Sequence, residues 1–300
     1  MDTKIIVMAN NKGGVGKTSS VAALGDVLAR KFGRKVLLID ADPQGNLSRR
    51  FRENDAPPMD TTFEVYLQSE YEARKQGQKN ELQPSLFFND AVQKRPSSKV
   101  IRTYDNLHVI YATPELQSVY ETFHYDANRA GSIIRRFLFN LKAAGEFDYV
   151  LIDTSPALSY VLGQFLVGSD YLMVPLFPSE DAITGAERVL NAFNIAYDDK
   201  QDYEYKELRF LGFFFCNIRN HTIAEQEYAK KKDAFWDEDN FFKAKIPQCA
   251  AVVNAGNNNK GAGGAPVTSV YPNSPAAYGY IDLAREMEQR IQEFEEGARE

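Results

Sequence analysis

The sequence predicts a doubly wound α/β fold, a mostly parallel sheet flanked by helices. Three observations lead there. Short, near-continuous apolar runs recur along the chain, and segments of helical periodicity separate them. The third is composition: 300 residues at 44% hydrophobic and 25% charged can bury a sizeable core, which excludes disordered and collagen-like chains. A strand covered on both faces reads as an uninterrupted apolar run, and strand–helix alternation implies parallel strands with crossover helices.

The strand candidates, in order, are Ile5–Ala9, Val36–Asp40, Leu107–Ala112, Tyr149–Asp153, Tyr171–Pro175 and Leu208–Cys216. A Gly-rich turn follows the first, and a helix begins near Lys17. Ile133, Ile134, Phe137, Leu138 and Leu141 share one helical face, with Gly145 placed to cap that helix. Ser274-Pro275 reads as an N-cap with proline in the first turn. Tyr280, Leu283, Met287, Ile291 and Phe294 then recur at helical spacing. Two stretches interrupt the pattern. A basic insert at about 70–102 carries seven basic against four acidic residues, and residues 254–266 form a Gly/Asn-rich loop. With no internal repeat and no shift in composition, residues 1–300 read as one domain.

Charge and cysteine usage narrow the function. The net charge is −6, so any nucleic-acid contact needs a local patch. Cys216 and Cys249 are too few for a disulfide framework and lack metal-site spacing. The only N-terminal apolar run is five residues, and no uncharged stretch approaches the roughly 18 residues of a membrane span. A cytoplasmic protein is expected.

The chemistry concentrates in Asn11-Lys12-Gly13-Gly14-Val15-Gly16-Lys17-Thr18, between a strand and a helix. Glycines let backbone N–H groups curl around phosphate oxygens, and the helix N-terminus adds its positive dipole end. Lys17 suits the β- and γ-phosphates, and the Thr18 hydroxyl suits Mg²⁺. The ordinary phosphate-loop pattern begins with Gly, where this chain has Asn11. Asp153 closes one strand candidate, and Asp40 closes another with Asp42 just beyond. Carboxylates at the C-terminal ends of parallel strands face the ligand crevice, placed to position Mg²⁺ or a hydrolytic water.

These residues are similar to a known family. Lys12 to Thr18 (KGGVGKT) resembles the deviant Walker A loop of ParA/MinD-type P-loop ATPases, most closely the ParA-type partition ATPases. DADPQGN (40–46) resembles the family's switch I, DYVLIDTSPAL (148–158) its Walker B and switch II, and VPLFPSEDAITG (174–185), IPQCAAVVNA (246–255) and SPAAYGYIDLAREM (274–287) three later blocks. The resemblance runs through nearly the whole chain.

It implies ATP and Mg²⁺ as ligands. Lys12, Gly13, Gly14, Val15, Gly16, Lys17, Thr18 and Ser19 would bind nucleotide, with Asn217, Pro247 and Gln248 near the adenine. Thr18, Asp40 and Asp153 would serve the metal. Asp42, Lys12 and Lys17 would be catalytic, Lys12 by reaching a partner's phosphates in an ATP-sandwich homodimer. The implied function is an ATP hydrolase that binds DNA without sequence preference and segregates plasmid, chromosomal DNA or other cargo. A ParB-like adaptor or centromere-binding protein would stimulate it, and it would sit on the nucleoid.

The chain departs from many relatives at His221 and Ala251, where they place arginines. Lys230, Lys231 and Lys232 are the substitute DNA-binding candidates, although that run also fits a solvated helix face. The 70–102 insert reads equally as a DNA surface, an adaptor element or a disordered loop. The loop begins at residue 11, so no upstream helix-turn-helix is expected. Four other readings compete. A MinD-like switch on a membrane or protein track meets a C-terminal segment, 286–300, with six glutamates and two arginines, which anionic lipid repels. An iron–sulfur reductase lacks its cluster cysteines. A metabolic ligase would ignore DNA, and an ATP-gated scaffold would barely hydrolyse.

Overall fold

A computed structural model describes residues 2–52, 60–94, 100–157, 159–201, 208–218, 238–256 and 264–297. Among them, eight strands form one sheet. In chain order they are β1 (Lys4–Met8), β2 (Val36–Ala41), β3 (Asn89–Lys94), β4 (Val100–Ile110), β5 (Tyr149–Thr154), β6 (Tyr171–Leu176), β7 (Arg209–Ile218) and β8 (Phe241–Pro247). Across the sheet the order is β3-β4-β2-β5-β1-β6-β7-β8, and every neighbour is parallel except β3 with β4.

The helices are α1 (Lys17–Arg30), α2 (Ser48–Phe51), α3 (Phe63–Lys75), α4 (Leu116–Tyr125), α5 (Ala127–Ala130), α6 (Ile133–Ala144), α7 (Tyr160–Gly168), α8 (Glu180–Gln201), α9 (Ala250–Gly256), α10 (Val267–Val270) and α11 (Pro275–Gly297). Alternate strand residues feed two cores. Ile5 and Val7 of β1, with Leu37 and Ile39 of β2, pack in the layer of α3, α4, α6, α7 and α8. Ile6 and Met8, with Leu38, pack in the opposite layer with α1, α10 and α11. Both faces of the inner strands are therefore buried, as their continuous apolar sequences require.

The connection β1–α1–β2 passes over β5, whereas the one from β5 through α7 to β6 passes over β1 in the opposite direction. Such a divergence opens a crevice at the C-terminal strand ends. The register fixes what lines it: Asp153 lies beside Met8 on one side and beside Asp40 on the other.

All six expected strands are present, and Gly145 caps α6 at φ +63°. Ser274 caps α11, its Oγ accepting from the Ala277 N–H at 3.2 Å. The 70–102 stretch is no disordered loop in its described part. It completes α3, makes a 3₁₀ turn at Pro84–Phe87, and builds β3 and the start of β4 as an antiparallel edge. The Gly/Asn-rich loop is also shorter than expected, because Asn254–Gly256 finish α9 and the Ala265 N–H returns to the Ala255 carbonyl at 2.8 Å. Residues 257–263 lie outside the described residues.

Candidate nucleotide site

The loop from Asn10 to Gly16 is shaped by two kinds of constraint. Gly14 (φ +77°) and Gly16 (φ +99°) adopt left-handed conformations that favour glycine. Asn10 anchors the entry, its Nδ2 donating to the Pro175 carbonyl at 2.8 Å and its Oδ1 accepting from the Lys12 N–H at 2.9 Å. Asn11, where the ordinary pattern has Gly, donates through Nδ2 to the Pro156 carbonyl at 2.7 Å and accepts from Arg188 at 3.2 Å. Its side chain thus ties the loop to β5's exit and to α8. No atom lies within 4 Å of where a Cβ would stand on Gly13 or Gly14, so that side of the loop is an open cradle.

Gly16 offers no side-chain cap to α1. The Ser20 N–H bonds the Gly16 carbonyl, which leaves the N–H groups of Lys17, Thr18 and Ser19 without intrahelical acceptors. An anion fits there. Lys17 is 7% exposed, and its ammonium donates to the Asn10 and Lys12 carbonyls, both at 3.1 Å. Burial lowers its pKa, against the pull of Asp153 and Asp42. Lys12 is placed oppositely: its side chain turns outward to pair with Asp181 on α8 at 2.7 Å.

Three carboxylates stand behind the loop in different states. Asp153 is fully buried, and neither oxygen has a partner in hydrogen-bonding geometry. Burial and then the neighbouring Asp40 push its pKa up to about 8, while the nearby Thr18 hydroxyl and Lys17 oppose this. Asp40, expected from the sequence to serve the metal, spends its oxygens on the chain: one accepts from the Ser48 N–H (2.7 Å) and hydroxyl (2.6 Å), the other from the Asp42 N–H (3.3 Å). The geometry makes it a clamp on the β2–α2 loop, with burial raising its pKa to about 7. Asp42 is 7% exposed, with Oδ1 held by the Gln44 N–H at 3.0 Å.

The expected adenine residues lie beside the loop through the end of β7. Cys216 packs so closely on Gly16 that a Cβ there would stand 3.2 Å from its sulfur. Asn217 follows in a left-handed conformation (φ +59°) that Asn tolerates. Pro247 is the β8 register partner of Ile218, and the Gln248 N–H donates to the Ile218 carbonyl at 2.8 Å. Lys230, Lys231 and Lys232 lie outside the described residues, as does His221. The structure gives roles to residues that motif reading left without one: Asn10, Asn11, Arg50, Asp181 and Arg188. Asn10 and Asn11 border the loop in sequence, and Arg50 lies four residues past the 40–46 block, but Asp181 and Arg188 reach the loop only through α8.

Known proteins resemble the chain over nearly its whole length. The chain is 26% identical to the sporulation initiation inhibitor protein Soj of Bacillus subtilis, over 95% of this chain and 98% of that one. It is 27% identical to the chromosome partitioning protein ParA of Caulobacter vibrioides, over 95% and 93%. In fold it resembles the septum site-determining protein MinD of Pyrococcus horikoshii, complexed with Mg-ADP, at TM-score 0.65 and 19% identity over 95% of both chains. A family model described as AAA domain matches residues 3–204, about two thirds of the sequence. The chain belongs to that family, as a ParA/MinD-type P-loop ATPase.

Proposed function

We propose that this ATPase is a Mg²⁺-dependent switch that closes as an ATP-sandwich homodimer, holds duplex DNA without sequence preference, and releases it on hydrolysis. A ParB-like adaptor or centromere-binding protein would stimulate that step, moving plasmid, chromosomal DNA or other cargo over the nucleoid. The observation that carries the reading is the opposite placement of two lysines in one loop. Lys17 is buried behind the phosphate cradle, whereas the side chain of Lys12 is 45% exposed at its rim. A lysine turned outward beside a phosphate site, held only by an exposed ion pair with Asp181, can exchange that partner for a second copy's nucleotide.

Nucleotide and metal both fit the residues present. The open cradle at Gly13 and Gly14 and the three free N–H groups of α1 accept phosphate oxygens. The unpartnered, buried carboxylate of Asp153 calls for a cation, and Thr18 adds a hydroxyl nearby. Mg²⁺ held by Asp153 and Thr18 would supply positive charge against the phosphates. Lys17 then draws off negative charge from the β/γ bridge, and Asp42 orients the attacking water. Asp40 holds the loop that presents Asp42. The likeness to Soj and ParA supports the segregation role, and the likeness to MinD bound to Mg-ADP supports the ligands. No described helix is long and apolar enough to cross a membrane.

The test is binding of the full chain to arbitrary duplex DNA at one fixed salt concentration, with ATP, ADP or no nucleotide. Retention only with ATP is expected. Absence of binding in every state, with ATP turnover intact, would refute the DNA track in favour of a MinD-like switch on a protein or membrane track.

A further inference from the structure

Arg50 is the last but one residue of α2, eight residues past the close of the Asp40–Asp42 turn, and it points back to the phosphate loop. Its Nη2 donates to the Ser19 hydroxyl at 3.2 Å and its Nη1 to the Ala265 carbonyl at 3.4 Å. Both acceptors are neutral. The side chain is largely buried, and it pairs with no carboxylate among the described residues. Burial pushes its pKa down, against the longer-range pull of Tyr280 and Asp153. A guanidinium removed from water is ordinarily matched by an anion, because an uncompensated buried charge costs stability. Elsewhere in this chain the rule holds: Arg30 is paired with Asp26 and Arg74 with Glu70.

The place where this cation is held supplies the missing anion. Ser19 is the third residue of α1, and its N–H is one of the three first-turn groups without an acceptor. Lys17 and Arg50 are thus fastened at opposite ends of the Asn10–Ser19 segment, Lys17 by the Asn10 and Lys12 carbonyls and Arg50 by Ser19. A phosphate chain lying along the cradle with its terminal groups at Lys17 brings its nucleoside end toward Ser19. On the other side of Arg50, α9 closes in, with a Cβ on Gly256 standing 3.6 Å from Nη2.

We propose that Arg50 is a nucleotide-binding residue that contacts the phosphate chain at its α-phosphate end, contributing equally to ATP and ADP affinity. The inference rests on the nucleotide site proposed above. It adds a cation from outside the loop motif, delivered by the helix that follows the switch I block. Because Asp40 clamps the start of that helix through Ser48, the same short segment carries both Asp42 and Arg50 to the nucleotide.

Isothermal titration of the full chain with ADP and with ATP, both with Mg²⁺ and with ADP in EDTA, tests this alongside the unfolding midpoint without nucleotide. Arg50→Ala is expected to weaken ADP and ATP binding alike, by about tenfold or more, as loss of a charge-assisted hydrogen bond does. Arg50→Lys recovers part of the affinity, since it restores the charge without the fork. The nucleotide-free midpoint of Arg50→Ala stays level or rises, because the variant removes an unmatched buried cation. Parent-like affinity for both nucleotides in Arg50→Ala overturns the proposal. So does a nucleotide-free midpoint several degrees below the parent's, which would make Arg50 a strut between α1 and Ala265. A parent chain that binds no nucleotide would instead fail the nucleotide site itself, and Arg50's role with it.

Discussion

The ammonium of Lys12 lies 2.7 Å from Oδ2 of Asp181, joining the rim of the phosphate loop to the first turn of α8. Both side chains are substantially exposed, at 45% and 74%, and Lys12 holds the Asp181 carboxyl below its usual pKa. An exposed pair of this kind is readily broken. In the single chain Lys12 has an internal partner, and in the proposed dimer it must leave that partner for the second copy's phosphates. Asp181→Ala is therefore expected to move ATP-dependent dimerisation to a few-fold lower protein concentration, with ATP affinity unchanged. Lys12→Ala is expected to bind ATP and remain monomeric. Light scattering across a concentration series reads both, and a normal dimer from Lys12→Ala would remove that residue from its proposed role.

A second expectation concerns pH in the absence of metal. The folded-state pKa of Asp153 is raised to about 8 and that of Asp40 to about 7, both chiefly by burial. The unfolded chain ionises these groups near 4. Raised acids contribute stability that is complete below the unfolded pKa and is lost as pH rises through the folded one. In EDTA the melting temperature should therefore fall as pH rises from about 4 to about 8 and level off above that. Asp153→Asn should flatten the upper part of that fall and raise the melting point at pH 8, while abolishing the gain from Mg²⁺ with nucleotide. A pH-independent melting temperature in EDTA would contradict the buried, unpartnered state of Asp153.

The parts of the fold that motif and periodicity reading missed share one physical cause. The six expected strands are the inner ones, mostly buried on both faces and written, over the expected spans, in largely apolar residues. The two unexpected strands are the sheet's edges. β3 (NDAVQK) is mostly polar, and β8 (FFKAKIP) has its apolar residues interrupted by two exposed lysines, Lys243 and Lys245. Edge strands are commonly short and charged, which blunts pairing with other chains and also hides them from an apolar-run criterion. The phosphate loop was legible because its residues are contiguous and their order is imposed by the ligand. Arg188, Asp181 and Arg50 reach the same site through tertiary contacts; Asp181 lies within the 174–185 block, but nothing in local sequence announces its pairing with Lys12 or sets the two arginines apart from surface charges.

The glycines of the loop separate folding from binding. At Gly16 a methyl group meets Cys216 at 3.2 Å and the backbone is left-handed, so Gly16→Ala should lower stability by roughly 1–2 kcal/mol as well as weaken nucleotide binding. At Gly13 a Cβ meets nothing within 4 Å and no left-handed backbone opposes it. Gly13→Ala should therefore melt like the parent, yet bind ATP more weakly because its methyl enters the phosphate cradle. Thermal denaturation beside nucleotide titration distinguishes them. Parent-like ATP affinity in Gly13→Ala would show that phosphate does not lie along that side of the loop.

Lys17→Ala should abolish tight nucleotide binding, since the ammonium is held at the loop by two of its carbonyls and keeps one N–H donor for phosphate. Titration with ATP at fixed Mg²⁺ reads the loss, and retained tight binding would refute the assignment. The variant also controls for Arg50, because it removes the cation at the other end of the same segment.

Asp42 provides the sharpest division between binding and turnover. Its Oδ1 is engaged by the Gln44 N–H, its own N–H is held by Asp40, and the residue is buried, at 7% exposure. A carboxylate tethered through one oxygen can direct the other at a water. Asp42→Ala is expected to bind ATP and dimerise like the parent but hydrolyse about a hundredfold more slowly, as removal of a general base typically does. Asp42→Asn keeps the acceptor for Gln44, so it should preserve the loop and still lose turnover, because its amide orients a water without taking a proton. If Asp42→Asn hydrolyses ATP at the parent rate while Asp42→Ala does not, the residue shapes the loop and the water is activated elsewhere. If neither variant is slower than the parent, Asp42 has no catalytic part, and the switch is left without the group that ends its ATP-bound state.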